Sequence, residues 1–160
     1  MIISGSNIVS DAMSIRGFYI TDTILIERVI DGYLAQYFCK TQYRQKEILE
    51  LILSTESMPF ERKRQILKVI LNKHHPNIEK EYPNLFPYLV KIIEQRNIFA
   101  HYLLDTSKAA LKRYPKEIGF VKFKNETSTI WYNNELLNAH LKKHIYCLDT
   151  LLIIFKIGVY

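Results

Sequence analysis

Residues 84–104 read NLFPYLVKIIEQRNIFAHYLL. Apolar side chains recur at spacings of three and four, at Leu85, Leu89, Ile92, Ile93, Phe99 and Leu103, the period of an amphipathic helix. Pro87 falls in the first turn, where its missing N–H leaves no bond unmade. On a wheel of about 100° per residue with Ile92 at the origin, Leu85 and Leu103 fall at about 20°, Leu89 at about 60° and Phe99 at about −20°. Arg96 falls at about 40°, in the middle of the apolar arc, with Asn97 and His101 one turn apart along its edge. A guanidinium cannot shed its charge, and an unpaired charge on a core-facing stripe is costly. Either Arg96 snorkels or pairs with a buried carboxylate such as Glu27, Glu50 or Glu94, or the arc opens onto a cleft or partner surface that takes an anion.

The rest of the chain supplies partners for such a helix. Ile26, Ile30, Tyr33, Leu34, Tyr37 and Phe38 keep the helical period from Thr21 to about Lys40. Gly32 within it costs roughly 1 kcal/mol against alanine and suggests close approach by another helix. A second helix fits Tyr43 to Leu53, with Ile52 inward. STESMP then reads as a loop, and Pro59 opens a third helix from Phe60 to about Lys73. HHPNIEKEYPN, with Pro76 and Pro83, reads as largely irregular. A short helix fits TSKAALKRYP. GFVKFKNETSTIWYN changes period and reads as a β-hairpin about a polar NETST turn. Asn133 or Asn134 caps a last helix through Leu137, Leu141, Ile145, Leu148 and Leu151. Before Thr21, Ser4, Gly5, Ser6 and Gly17 interrupt the pattern, so residues 1–20 read as a loose leader with a short helix over Ile8 to Ile15. The expected fold is all-α: one domain over 1–160, an antiparallel bundle of four to five helices with a small hairpin before the last.

Composition narrows the functional classes. With 160 residues, 48% of them hydrophobic and 24% charged, the chain suits one globular core. No apolar run reaches the roughly 18 residues of a membrane span, and the first residues lack the pattern of a signal peptide. A soluble, cytoplasmic protein is expected. Cys39 and Cys147 give no disulfide framework and read as two buried reduced thiols. The net charge of +6 favours a polyanionic partner, although the basic residues are dispersed, without a run of five or six.

Three residues of the opening stretch fit one chemistry. The ordinary pKa of His101 suits proton transfer near neutrality. Arg96 offers a rigid donor fork for phosphate oxygens. Asn97 can orient an imidazole or hold a phosphate oxygen. Phosphodiester cleavage in RNA asks for these parts, a group that moves the 2′-hydroxyl or leaving-group proton and a cation for the charge developing on phosphorus. The ribose supplies its own nucleophile, so neither cofactor nor metal is required.

Arg96-Asn97-Ile98-Phe99-Ala100-His101 resembles the R-N-x-x-x-H form of the Rx4–6H motif of HEPN domains, all-α bundles found in ribonuclease toxins, abortive-infection proteins and RNA-cleaving CRISPR effectors. IERVIDGYLAQYF at 26–38 is similar to the family's early helix, and MPFERKRQIL at 58–67 to its middle helix. The spacing also resembles the small single-domain mannitol-operon-repressor-like branch. The resemblance covers residues 22 to 105, and the terminal helix by order alone. It implies a homodimer with a composite site, metal-independent endoribonuclease activity of toxin or phage-defence type, and an antitoxin or regulatory protein as a further partner. Arg96, Asn97 and His101 would be catalytic. Some toxins of this superfamily carry, two residues after the histidine, a tyrosine that their antitoxin modifies by nucleotidyl transfer. Leu103 holds that position here, which sets this chain apart from that mode of control. The resemblance also admits a catalytically inactive regulator or RNA-binding module, and a plain helical interaction domain is the third reading.

The remaining candidates are weaker. Tyr102 could stack on a base. Arg62 and Arg64, with Lys63 and Lys68, read as a solvated face or as contacts to an RNA backbone. His140 and His144 have the i,i+4 spacing of a metal pair, but two lysines lie between them and a zinc site needs three or four ligands. They read as solvent-facing. His74-His75 falls in a loop, and no metal site is expected.

Overall fold

The helical period begins earlier than Thr21. In the computed structural model, which describes residues 3–55, 58–124 and 126–157, one helix, α1, runs Ile8–Phe38. The expected loose leader is therefore mostly helix. Ile8, Ala12, Ile15 and Tyr19 already keep the core-facing period and are buried. Ser10, Ser14 and Gly17 lie on the outer face, where weak helix formers are tolerated. Asn7 caps the helix, its side chain accepting from the N–H groups of Val9 and Ser10. No close approach accounts for Gly32, because a Cβ there would meet nothing within 4 Å.

Helix α2 spans Gln42–Ile48 and continues as a π-helical turn over Leu49–Leu53. Helix α3 spans Phe60–His74 behind Pro59. The segment expected to be irregular contains a single helical turn, α4, over Ile78–Glu81. Helix α5, Leu85–His101, ends three residues before the expected Leu104. Strand β1 (Leu103–Leu104), helix α6 (Lys108–Arg113), strands β2 (Ile118–Lys124) and β3 (Glu126–Tyr132) and helix α7 (Asn134–Ile157) complete the chain.

The fold is thus mainly helical, but its sheet is larger than a hairpin. Three antiparallel strands are ordered β1-β2-β3. Leu103 pairs with Val121, and Phe120 with both Leu104 and Ile130. Thr127, Ser128 and Thr129 belong to β3, opposite Phe123, Lys122 and Val121, and not to a polar turn. β-Branched threonine suits a strand whose other face is wet. Asn125, the middle of the connection, lies outside the described residues. Trp131 crosses Gly119 so closely that a Cβ at 119 would stand 2.8 Å from Trp131 Cζ3 and 2.7 Å from Thr129 Cγ2. The Arg113 guanidinium covers the same indole, 4.4 Å from its ring centre.

Two apolar clusters result. One gathers Ile26, Ile30, Leu34, Leu67, Leu71, Leu85, Leu89 and Leu151 between α1, α3, α5 and α7. The other packs Tyr19, Phe99, Phe120, Tyr132 and Leu137 where the helices meet the sheet. Helix α5 passes from the first into the second, and His101 is its last residue. Three residues expected to face inward do not: Tyr37 and Phe38, at the end of α1, and Ile52, in the π-helical turn, are exposed.

Candidate functional site

The apolar arc of α5 does not stay at one angle. Its buried side chains are Leu85, Phe86, Leu89 and Ile92, then Gln95 and Phe99. The buried stripe therefore shifts from about 60° at Leu89 to about −20° at Phe99 as the helix leaves one cluster for the other. Arg96 is left on the edge that the shift uncovers. It is exposed, as are Asn97 and His101. The buried-arginine alternative is overturned. Among the described residues no carboxylate lies within ion-pair distance of Arg96, and its Nη1 donates to Asn97 Oδ1 at 3.2 Å. The three candidate partners are engaged elsewhere: Glu27 with Lys63, Glu50 with Lys46 and Glu94 with Lys91.

Arg96 and Asn97 open onto a cavity of about 430 Å³ between α5, α1 and the start of α3. Glu27, Met58, Phe60 and Glu61 form the facing wall. Its carboxylates are already satisfied. Arg64 grips Glu61 through Nε at 2.8 Å and Nη2 at 2.6 Å, which holds the Glu61 carboxyl below its usual range. Glu27 accepts from Lys63 at 2.5 Å. Arg96, opposite that wall, is the cation lining the cavity, and among the described residues it has no carboxylate partner.

Among the described residues the buried cation is instead Lys63. It lies between Glu27 and Asp31, 2.9 Å from the Asp31 carboxylate, with both side chains almost sealed from solvent. Of the four cations read as a solvated face, Lys63 is buried, Arg64 is tied to Glu61, Lys68 pairs with Glu79 at 3.2 Å, and Arg62 alone is exposed without an acid partner.

His101 stands outside the lining of this cavity. It shares an edge of α5 with Asn97 one turn earlier, whereas Arg96 projects about 140° away around the helix axis. One chain thus brings Arg96 and Asn97 together and leaves His101 on an adjoining face. Tyr102 is half-buried against the second cluster. Its carbonyl accepts from Arg16 Nη2, and the Arg16 guanidinium lies 5.0 Å over the Phe120 ring. Arg16 therefore fixes the turn that presents His101. It escaped sequence reading because it stands in the weakly patterned stretch before Thr21, and no motif points to it. Glu27 was legible only as a possible buried partner.

The two histidines expected to face solvent do not. His144 is buried. Its Nδ1 meets the His140 carbonyl at 3.1 Å and its Nε2 the Thr23 hydroxyl at 3.3 Å. The ring donates from Nδ1 to the His140 carbonyl, while the Thr23 hydroxyl beside Nε2 donates to the Tyr19 carbonyl at 2.8 Å. Burial lowers its pKa, and burial followed by the nearby Lys143 charge takes His140 down to about 4. Cys147 is buried, its thiol pushed up to about 12, while Cys39 is half-buried. Among the described residues no group of three or more His, Cys, Asp or Glu is placed to hold a metal ion, and no helix is long and apolar enough to cross a membrane.

No protein-family model, curated protein or solved structure matches this chain.

Proposed function

We propose that the chain is a HEPN-like, metal-independent endoribonuclease of toxin or phage-defence type that acts as a homodimer. The observation that carries this reading is an exposed arginine without a carboxylate partner, bonded to Asn97 at the mouth of an open cavity, with His101 free one turn further on. An arginine kept in that state is ready for an anion. Because His101 faces away from the Arg96 cavity, a second chain has to complete the site. Met13 and Ile24 are exposed on α1 and share a face with Ile20 and Glu27, so an apolar stripe leads to the cavity wall that such a contact would cover.

In the dimer, His101 takes the 2′-hydroxyl proton as that oxygen attacks phosphorus. Arg96 holds the charge growing on the phosphoryl oxygens, and Asn97 keeps its guanidinium in place. The 5′-oxygen leaves with a proton from the His101 of the other protomer. The products are a 2′,3′-cyclic phosphate and a 5′-hydroxyl. The test is cleavage of single-stranded RNA by the purified chain, with end groups identified and mass measured by light scattering. A dimer of twice the 19.0 kDa chain mass and a cyclic phosphate are expected.

One observation favours a second reading. Glu27 and Glu61 line the same cavity as Arg96 and repel a phosphate unless Lys63 and Arg64 hold them. A catalytically silent HEPN-like regulator or RNA-binding module would keep the dimer and bind without cutting.

A further inference from the structure

A second groove, of about 460 Å³, lies where the end of α1 meets α3. Tyr37 and Phe38 form one wall, and Arg62, Ile66, Val69 and Lys73 the other. Three features give it a chemistry. It is lined by two cations and by no carboxylate, and among the described residues neither Arg62 nor Lys73 has an acid partner. The cations sit eleven residues apart on one stripe of α3, roughly 16 Å along its axis. Between them the floor is apolar and aromatic. Phe38 is 56% exposed and stands edge-on to Tyr37, with ring centres 5.0 Å apart at 88°. Tyr37 is held in turn by a 3.0 Å hydrogen bond between its hydroxyl and His74 Nε2. Phe38 is thus an exposed ring on a fixed neighbour.

We infer that this groove is a single-stranded RNA subsite, in which Phe38 stacks on a base while Arg62 and Lys73 hold the flanking phosphates. Aromatic faces inside a cationic groove are what single strands bind without strict sequence preference. Helix α3 lines both this groove and the Arg96 cavity. Phe60 and Glu61, in the first turn of α3, line that cavity, and the next residue, Arg62, lines this one. An apolar partner helix would fill the volume, but it would leave both cations facing it without counter-charge. The inference rests on the ribonuclease reading for its choice of RNA, and extends it from the bond cut to the strand held.

The test uses the His101→Ala chain, so that binding is read apart from cleavage, and a single-stranded RNA 12-mer carrying 2-aminopurine. Fluorescence quenching reports stacking, and anisotropy reports affinity. Phe38→Ala should remove the quenching and weaken binding by roughly 5- to 100-fold, the range of one lost base–aromatic stack. Phe38→Tyr should restore both. Lys73→Glu should weaken binding and lower the salt slope by about one. Lys142→Glu, an exposed lysine on α7, should change neither. Unchanged affinity in Phe38→Ala and Lys73→Glu, or equal weakening by Lys142→Glu, overturns the subsite, as does a parent protein that binds no RNA. If the wild type cuts RNA while the groove variants behave as the parent, the ribonuclease reading stands and the groove falls. If the variants lose binding while the wild type cuts nothing, the groove stands and the ribonuclease reading falls.

Discussion

The Lys63 ammonium lies 2.9 Å from the Asp31 carboxylate, and neither side chain has more than 3% of its surface in contact with solvent. Glu27 reaches the same ammonium from the rim of the Arg96 cavity. Removing one member of a buried ion pair leaves a buried charge without compensation, which costs about 3–5 kcal/mol. Lys63→Ala should therefore lower stability by about that amount in urea denaturation, and it should free Glu27 to repel an anion at Arg96. A loss below about 1 kcal/mol would mean that water reaches Asp31.

Gly119→Ala tests the sheet. The added methyl would lie 2.7 Å from Thr129 Cγ2 and 2.8 Å from Trp131 Cζ3, closer than carbon atoms pack. Overpacking of this kind costs about 1–3 kcal/mol. A lowered melting temperature is expected, together with a changed Trp131 emission, since Trp131 is the only tryptophan in the chain.

Buried His144 and half-buried His140 set a pH dependence. Burial lowers the pKa of His144, and takes that of His140 to about 4 with help from Lys143. Asp22 opposes the shift at His144 without reversing it. Below about pH 6.5 the unfolded chain binds protons that the folded chain does not, so stability falls on acidification from there towards pH 4 and is unaffected by these groups above pH 7. Thermal melts at pH 7.5 and 5.0 should show the drop, and His140→Asn should flatten it.

What the sequence could disclose follows from how local each feature is. The α3 start at Pro59 and the run of α5 through its apolar repeat are set by neighbouring residues, and both were legible. The early start of α1 was hidden by Gly17 and the serines, which hide a helix only when the buried face is ignored. β1 is two residues long and exists because Leu103 and Leu104 meet Val121 and Phe120 across the chain, so no local signal marks it. The exposure of Arg96, one of two alternatives on the sequence, and the burial of Lys63, read as part of a solvated face, have one cause. Periodicity ranks positions on an ideal wheel, but the core of α5 rotates between two clusters, and the ERKR run on α3 turns one of its cations inward. Arg96, Asn97 and His101 could be found by residue type and spacing. That His101 faces away from the Arg96 cavity could not.

Arg96→Ala separates catalysis from folding. The side chain is exposed and ion-paired to no acid among the described residues, so its loss should change stability by no more than about 0.5 kcal/mol. It should nonetheless abolish RNA cleavage at the cavity that it opens. A variant that melts far below the wild type would return Arg96 to a structural role.

The most direct test of the central claim compares wild-type and His101→Ala chains on single-stranded RNA, in the presence of EDTA, with the mass of each checked by light scattering. The wild type should cut and leave 2′,3′-cyclic phosphate ends. His101→Ala should keep the dimer and the melting temperature while losing about 10²–10⁴-fold in rate, as removal of a general acid or base does. Wild-type cleavage stopped by EDTA, or His101→Ala cutting at the wild-type rate, would contradict the account.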